Sequence, residues 1–256
     1  MSLDKKYFFL LGGHDLEMLT IKALLLDHGF IEAEDFLDNE LAWGAKLSDY
    51  KGQFSEDRTN VCIELMEDVK PPKNYLRIDH HNDWNHKPST LHQLAELLDI
   101  KLNRHQKLVA ANDVAHIPGM EALNATKEEI TSIRQQDRSA QGVTAEDEKL
   151  AILSIEKHLK QQGDVTVVYA LTDKFSAITD RLYPCSKLLI YTEEELTYYG
   201  VGKKELVKQF AKEVENGTAY FGGSENGYFG IGKGKLSKNE IEQTLKKIIN
   251  YVRETD

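Results

Sequence analysis

The chain has 256 residues, a formal net charge of −10 and 41% hydrophobic residues. This fits one large domain or two modest domains with packed cores, and it disfavours a disordered chain. The negative charge argues against a protein whose main role is to coat nucleic-acid backbone. A small phosphate-bearing substrate stays open, because bound metal ions can reverse the local sign of the charge.

The two cysteines, Cys62 and Cys185, lie far apart in apolar surroundings, which favours free thiols over a disulfide. No apolar run approaches the length of a membrane span. The apolar run near the N-terminus is too short for a signal peptide. We therefore expect a cytoplasmic protein that does not act at a membrane.

The first predicted strand, residues 6–11, ends in two glycines and then a helix start that is rich in metal-binding side chains. His14, Asp15 and Glu17 lie within four residues of one another. Crowded carboxylates raise each other's pKa unless a cation is present, so this motif favours a bound cation. The alternative is that Asp15 and Glu17 only complement the helix N-terminus.

Two further predicted strands also end in polar residues. Residues 60–63 are followed by Glu64, and residues 75–78 are followed by the triplet Asp79-His80-His81. A buried strand that ends in such residues typically delivers them to a site at its carboxyl end. The alternative for the two histidines is a capping or core role.

A fourth polar stretch follows a helix predicted at residues 103–111. Asp113 lies where this helix gives way to a loop that Pro118 and Gly119 close. A single aspartate at such a position is usually a cap, but the three other stretches favour a ligand role here. His116, in the same loop, either binds substrate or satisfies the loop, and both interpretations stay open.

The middle of the chain predicts a division into domains. Residues 126–162 read as a helical linker with a capping box at Thr126 and a similar acidic cap at Thr144. They would separate a metal-binding domain, residues 1–125, from a second domain, residues 163–256, in which strands and helices alternate. A hairpin is predicted at residues 218–231. Its aromatic residues suit either a core or the contact of a homodimer.

Taken together, these strand ends offer carboxylates and imidazoles, which suit Mn²⁺ or a similar divalent ion such as Mg²⁺. One or two such ions would neutralise phosphate charge and supply a metal-bound hydroxide that attacks phosphorus. The candidate metal ligands are His14, Asp15, Glu17, Glu64, Asp79, His80 and Asp113.

The order of these motifs resembles the DHH phosphoesterase superfamily, and the resemblance covers most of the chain. An acidic strand–turn motif, a second acidic strand end, Asp79-His80-His81 and Asp113 precede a glycine-containing C-terminal part. The superfamily includes manganese pyrophosphatases, single-strand exonucleases, oligoribonucleases and cyclic-dinucleotide phosphodiesterases. The resemblance implies an α/β fold: a parallel-sheet N-terminal domain with helices on both faces, and a smaller α/β C-terminal domain of the DHHA1 type that binds substrate.

Residue by residue, the resemblance implies specific roles. The metal ligands would be Asp15, Glu17, Glu64, His80 and Asp113. His81 would contact phosphate and take part in catalysis, and the substrate would also be held by Gly222, Gly223 and Asn226. The chain departs from the family pattern at Leu11, where the first motif usually has a histidine, and at Ser224, where a histidine usually follows the Gly-Gly pair.

We therefore expect a divalent-metal-dependent phosphohydrolase that acts on a small phosphate ester, a short oligonucleotide or a related phospho-compound. The altered first motif supports a rival from a different class, namely a non-catalytic sensor that binds a phosphorylated ligand or nucleotide and retains the fold. The intact Asp79-His80-His81 triplet favours the enzyme.

Overall fold

The computed structural model describes residues 6–42, 44–223 and 226–253. The chain divides into two compact units, Met1–Gly142 and Val143–Asp256. The division falls inside the segment that the sequence predicts as a linker. Thr126 caps the last helix of the first unit and Thr144 caps the first helix of the second.

The first unit is built around a four-stranded sheet. Its strands are β1 (Tyr7–Leu10), β2 (Phe36–Leu37), β3 (Thr59–Ile63) and β4 (Tyr75–Ile78). They are all parallel and lie in the order β2-β1-β3-β4. The α-helices of this unit are α1 (Leu16–Asp27), α2 (Thr90–Leu97), α3 (Arg104–Ala122) and α4 (Lys127–Ala140), and 3₁₀ helices span Leu47–Tyr50 and Asn82–Trp84.

Both faces of this sheet are buried, as is usual for parallel strands. Phe9 packs on one face with apolar residues of α1 and α2. Phe8 and Leu10 point to the other face, where the 3₁₀ helix with Leu47 and Tyr50 covers them. The near-continuous apolar run of β1 fits burial on both faces. This packing fixes the position of the strand and so of the residues that follow its carboxyl end.

Helix α3 is interrupted in its middle. The backbone is non-helical at Ala115 (φ −147°) and His116 (φ 50°, ψ −140°), and Pro118, which has no N–H to donate, lies in the first turn after the break. At Gly119 a Cβ would lie only 2.3 Å from the carbonyl oxygen of Ala111. The sequence predicted a loop here. The structure instead continues the helix after the break, because Pro118 is tolerated in a first helical turn.

The second unit is built around a six-stranded mixed sheet. Its strands are β5 (Leu159–Gln162), β6 (Val165–Tyr169), β7 (Lys187–Tyr191), β8 (Leu196–Gly200), β9 (Ala219–Gly222) and β10 (Tyr228–Ile231). Their order is β5-β6-β7-β8-β10-β9, and β6 and β7 are the parallel pair. The helices are α5 (Ala145–His158), α6 (Ser176–Leu182), α7 (Lys203–Gln209), α8 (Ala211–Glu215) and α9 (Lys238–Arg253).

The predicted α/β class, with a parallel first sheet and a smaller second α/β unit, is confirmed. Two short strands, β2 and β5, were not predicted, and residues 159–160 belong to β5 rather than to the preceding helix. Cys62 and Cys185 are free thiols. None of the described helices combines the length and the apolar character needed to cross a membrane.

Candidate metal centre

The carboxyl ends of β1, β3 and β4 bring the predicted ligands to one edge of the first sheet. Strand β3 pairs with both β1 and β4, so the residues that follow each strand leave the sheet together. Gly12 permits the close approach: a Cβ at this position would lie 2.4 Å from the carbonyl oxygen of Ile63 and 2.7 Å from that of Glu64. Glu64 itself has φ 52°, a left-handed conformation that costs a non-glycine residue energy and is often found at functional sites.

Four side chains converge at this edge. One ligand atom from each of Glu64, His80, His81 and Asp113 lies within 4.8 Å of the others. His80 is central, because its Nε2 lies 2.5 Å from Asp113 Oδ2 and 3.7 Å from Glu64 Oε1. Glu17, from the first turn of α1, joins them with its Oε2 at 3.7 Å from the same His80 nitrogen.

Four of the atoms at this edge are buried and have no hydrogen-bond partner among the described residues. They are Glu17 Oε2, Glu64 Oε1, His80 Nε2 and Asp113 Oδ2. Even the short contact between His80 and Asp113 lacks hydrogen-bond geometry. A buried polar atom without a partner costs about 1–3 kcal/mol, so four of them in one place call for a shared ligand. Carboxylates with an imidazole are a donor set for a divalent cation, which the residues therefore fit.

The electrostatics of the cluster point the same way. Burial, together with the charges of Asp15 and Asp113, raises the pKa of Glu64 to about 7. Burial and the charge of Asp113 raise the pKa of Asp15 to about 6. Burial, Asp113 and Glu64 raise the pKa of Glu17 well above its usual range. Carboxyls in such a state favour their neutral form unless a cation compensates them.

Asp79 lies beside the cluster and pairs with other groups. Its Oδ2 accepts hydrogen bonds from Arg77, at 2.5 Å from Nη2 and 3.1 Å from Nε. Its Oδ1 accepts from the backbone N–H of His81 at 2.8 Å and lies 3.3 Å from His81 Nδ1. Burial alone would raise the pKa of Asp79, but the hydrogen bonds from His81 and Arg77 outweigh it and hold the pKa below its usual value. Its role as a metal ligand stays a prediction.

His81 is the cationic member of the site. The hydrogen bond with Asp79, and then the charges of Glu64 and Asp113, raise its pKa to about 9. Its side chain is 37% exposed, whereas those of His80 and Glu64 are buried. At neutral pH the structure therefore presents a protonated, accessible imidazole next to a group of buried carboxylates.

The other predicted ligands of the first motif, His14 and Asp15, are not among these unpartnered atoms. Asp15 is the N-cap of α1, and its Oδ1 accepts a hydrogen bond from the backbone N–H of Met18 at 2.8 Å. The capping alternative therefore describes this oxygen, although the charge of Asp15 still acts on Glu64. His14 is exposed. The ligand roles of both residues stay predictions.

The predicted substrate contacts lie in two places. His116 is exposed at the break in α3. Gly222, Gly223 and Asn226 belong to the second unit, where Gly222 ends β9 and Gly223 has φ 70°. The buried side chain of Lys203 donates hydrogen bonds to the carbonyl oxygens of these two glycines, at 3.4 and 3.2 Å. Ser224, the predicted departure from the family motif, lies outside the described residues.

Sequence reasoning missed two arginines that contact predicted site residues. Arg77 lies two residues before Asp79, and the period of a strand places such residues on the same side, so this pair could have been predicted. Arg134 lies on α4 and contacts His116 and Asn112, the neighbour of Asp113. Arg134 is 18 residues or more from both residues along the chain, so no local sequence pattern predicts these contacts.

No protein-family model matches the chain, and no curated protein matches it. Among solved structures, the DHH domain of PF0399, a member of a family of ribosomal proteins, has a TM-score of 0.53 and 10% identity, over 96% of this chain and 87% of that chain. RecJ from Thermus thermophilus, in complex with Mn²⁺, has a TM-score of 0.51 and 10% identity, over 100% of this chain and 53% of that chain.

A third solved structure, the pGpG-specific phosphodiesterase PggH from Vibrio cholerae, has a TM-score of 0.47 and 14% identity, over 98% of this chain and 100% of that chain. The chain spans about half the length of RecJ. At these identities the likeness shows the fold alone. The chain has the fold of DHH-domain proteins, as the resemblance predicted.

Proposed function

We propose that this chain, with its DHH fold, is a divalent-metal-dependent phosphohydrolase. Its substrate would be a small phosphate ester, a short oligonucleotide or a related phospho-compound. The observation that carries the proposal is the convergence of unpartnered, buried atoms of Glu17, Glu64, His80 and Asp113. The RecJ structure of the same fold is a complex with Mn²⁺, which supports Mn²⁺ as the ion to test first.

These four side chains would hold one ion. Bound there, a divalent ion would polarise a phosphoryl oxygen and lower the pKa of a water molecule. A second ion would need the remaining predicted ligands, but the Asp15 carboxylate caps α1 and Asp79 pairs with Arg77. Leu11, where the family motif has a histidine, is apolar and buried in the core. We therefore propose one complete metal site per chain.

His81 would bind and orient the substrate. The carboxylate of Asp79, 3.3 Å from Nδ1, favours the protonated ring, which can donate a charge-assisted hydrogen bond to a phosphoryl oxygen. Asp79 Oδ1 contacts the ring at Nδ1, and Arg77 donates a hydrogen bond to Asp79 Oδ2. This chain of contacts fixes the imidazole before the substrate arrives, which reduces the cost of ordering it in the transition state.

The second candidate is a non-catalytic protein that binds a phosphorylated ligand or nucleotide. Leu11, just after β1, favours this rival. It is buried and apolar, and it stands where the family motif usually has a histidine, so one nitrogen ligand is missing beside Asp15. Such a protein would keep the ion and His81 for binding, and it would not turn over its ligand.

The test measures Mn²⁺ binding by calorimetry and hydrolysis of four probes: bis(p-nitrophenyl) phosphate, p-nitrophenyl phosphate, pyrophosphate and a dinucleotide. His80→Ala should weaken Mn²⁺ binding by about 100-fold or more, since it removes a direct ligand. His81→Ala should keep Mn²⁺ binding and lower turnover by about 100- to 1,000-fold, the typical effect of losing one preorganised donor. His105→Ala, an exposed histidine at the start of α3, is the matched control and should change neither.

The possible results separate the candidates. Hydrolysis that needs Mn²⁺ and fails in His80→Ala supports the enzyme. Mn²⁺ binding with no turnover of any of the four probes, but with tight binding of the dinucleotide, supports the sensor. A wild-type chain that binds no Mn²⁺ would contradict both the metal site and the phosphohydrolase.

A further inference from the structure

The break in α3 lies at two predicted site residues, one just before it and one within it. Asp113 lies just before the break, and its carboxylate reaches His80. His116, in the break, has φ 50° and ψ −140°, a conformation that disfavours any residue with a Cβ. Strain of this kind persists only where surrounding contacts enforce it, so the break needs a restraint from outside α3.

Arg134 of α4 supplies such a restraint. Its side chain is buried, and Nη1 lies 2.9 Å from Asn112 Oδ1, 3.3 Å from His116 Nδ1 and 2.7 Å from Asp137 Oδ2. The two hydrogens on Nη1 are shared among these three acceptors. Arg134 therefore connects the residue before Asp113 with the residue in the break, and Asp137 balances its charge within the same helix.

The contact also determines which nitrogen of His116 carries the proton. A guanidinium group has donors and no acceptor. His116 Nδ1 must therefore be the acceptor in its contact with Arg134, and the neutral ring carries its proton on Nε2. The result is an exposed imidazole with an N–H donor three residues after Asp113.

We propose that Arg134 is a positioning residue of the metal centre. It holds the break in α3, so that Asp113 stays in place against His80, and it fixes His116 as the Nε2–H tautomer, a hydrogen-bond donor for a phosphoryl oxygen of the substrate. This inference rests on the proposed function for the role of the site, while the tautomer and the restraint are properties of the chain itself.

The first experiment determines the tautomer by ¹⁵N NMR of the metal-free protein, at a pH where the ring of His116 is neutral. The wild-type chain should carry the proton on Nε2. The double variant Arg134→Gln/Asp137→Asn removes the buried charges together, so that neither is left unpaired. It should show a mixture of tautomers, and its Mn²⁺ affinity should fall by about tenfold, as for loss of a residue that orients a ligand.

The matched control is Arg104→Gln/Glu129→Gln. This pair also joins an arginine to a carboxylate, with Nη2 at 2.9 Å from Oε2, and it connects α3 with α4 at the surface. The control should leave the tautomer and the Mn²⁺ affinity unchanged. Equal losses in both double variants would show general destabilisation of the helix pair and would overturn the proposal.

A second pair of variants keeps the test informative if the first does not fold. His116→Gly can adopt the observed backbone without strain, whereas His116→Ala keeps the Cβ and loses the contact with Arg134. The glycine variant should bind Mn²⁺ as the wild type does, and the alanine variant should bind it about three- to tenfold more weakly. Both should lower kcat more than they raise KM, because both lose the Nε2–H donor. Equal Mn²⁺ affinities of the two variants would overturn the restraint.

The outcomes distinguish this inference from the proposed function. If the wild-type chain binds Mn²⁺ and hydrolyses phosphate esters but His116 carries its proton on Nδ1, the inference fails and the function stands. If the wild-type chain binds no Mn²⁺, the proposed function fails. The tautomer in the wild type and in the double variants then decides whether Arg134 restrains the break.

Discussion

Both sheets of the molecule carry acidic residues at the carboxyl ends of parallel strands, yet the two edges differ in how those charges are balanced. In the first unit the carboxylates of Glu17, Glu64 and Asp113 lie around His80, and His81 lies beside them. In the second unit a cavity of about 550 Å³ lies beyond β6 and β7. Its acidic lining residues are Asp147, Asp173, Glu193, Glu194 and Glu195.

The acids of this second cavity mostly have partners. Lys233 pairs with Asp173 at 2.9 Å, and the hydroxyl of Thr172 donates to Asp147 at 2.7 Å. Hydrogen bonds from hydroxyl groups lower the pKa of Asp147, and the one from Lys233 lowers that of Asp173. Glu195 is the exception, because burial raises its pKa and its Oε1 has no hydrogen-bond partner among the described residues.

Clustered carboxylates alone therefore do not make a candidate metal site. At the second edge, Asp173 forms an ion pair with Lys233 and Asp147 accepts hydrogen bonds from the hydroxyls of Thr144 and Thr172. Where buried carboxyls lack such partners, as at the first edge, their pKa values rise and the group becomes a candidate site for a cation. Three experiments test this difference between the two edges.

The largest difference is expected in metal affinity. Asp113→Ala should weaken Mn²⁺ binding by about 100-fold or more, because it removes a ligand atom from the buried cluster. Asp173→Ala makes the same substitution at the second edge and should leave Mn²⁺ affinity unchanged, because its carboxylate is balanced by Lys233. Calorimetric titration of both variants checks this. Similar losses in the two variants would remove the distinction between the edges.

An opposite effect on stability and binding is expected at Glu64. Glu64→Gln removes a buried carboxyl whose ionised form is unfavourable, so the metal-free variant should be more stable than the wild type by about 1–3 kcal/mol at about pH 8. The same variant should bind Mn²⁺ far more weakly. Urea unfolding in the presence of a chelator, followed by Mn²⁺ titration, measures both quantities. If Glu64→Gln is less stable than the wild type in chelator, the carboxylate of Glu64 is not unfavourable in the metal-free site, and the prediction is wrong.

The smallest expected effect is a difference in pH dependence. The folded-state pKa of Glu64, about 7, lies above its usual value of 4.5. The folded state therefore binds more protons than the unfolded state in this interval, and the free energy of unfolding of the metal-free protein should fall as the pH rises from about 4.5 to about 7. Asp147 and Asp173, with lowered pKa values, contribute stability that is lost only as the pH falls below their usual value of 3.8.

Saturating Mn²⁺ should remove the fall between about pH 4.5 and 7, because the ion keeps the carboxylates ionised in the folded state. Denaturant unfolding at several pH values, with and without Mn²⁺, measures this. A metal-free protein whose stability rises steadily across that interval would contradict the raised pKa values.

Much of the fold was predictable because it depends on local patterns. Strand β4 has the predicted bounds, since it is a short apolar run with polar residues at its end. The first sheet also followed from strands that alternate with helices. The two-residue strand β2 was not predictable, because its pairing with β1 is set by the sheet and not by its own short sequence.

The candidate site was predictable only in part. The strand-end positions of Glu64 and His80 indicated that both side chains would leave the sheet at the same edge, and the structure brings them together. The partners of Asp79 and His116 depend on where Arg77 and Arg134 point, and a helical pattern does not distinguish a buried arginine from an exposed one. The break in α3 also depends on close packing at Gly119, which the sequence does not reveal.

The side chains of the candidate metal centre are spread along the chain from Glu17 to Asp113. During synthesis, the full set exists only after α3 has left the ribosome and docked beside the first sheet. The ion would therefore bind late. It would stabilise a unit that has already folded and would not nucleate its folding. Metal uptake by nascent chains of increasing length would then begin abruptly, once the segment containing Asp113 has emerged.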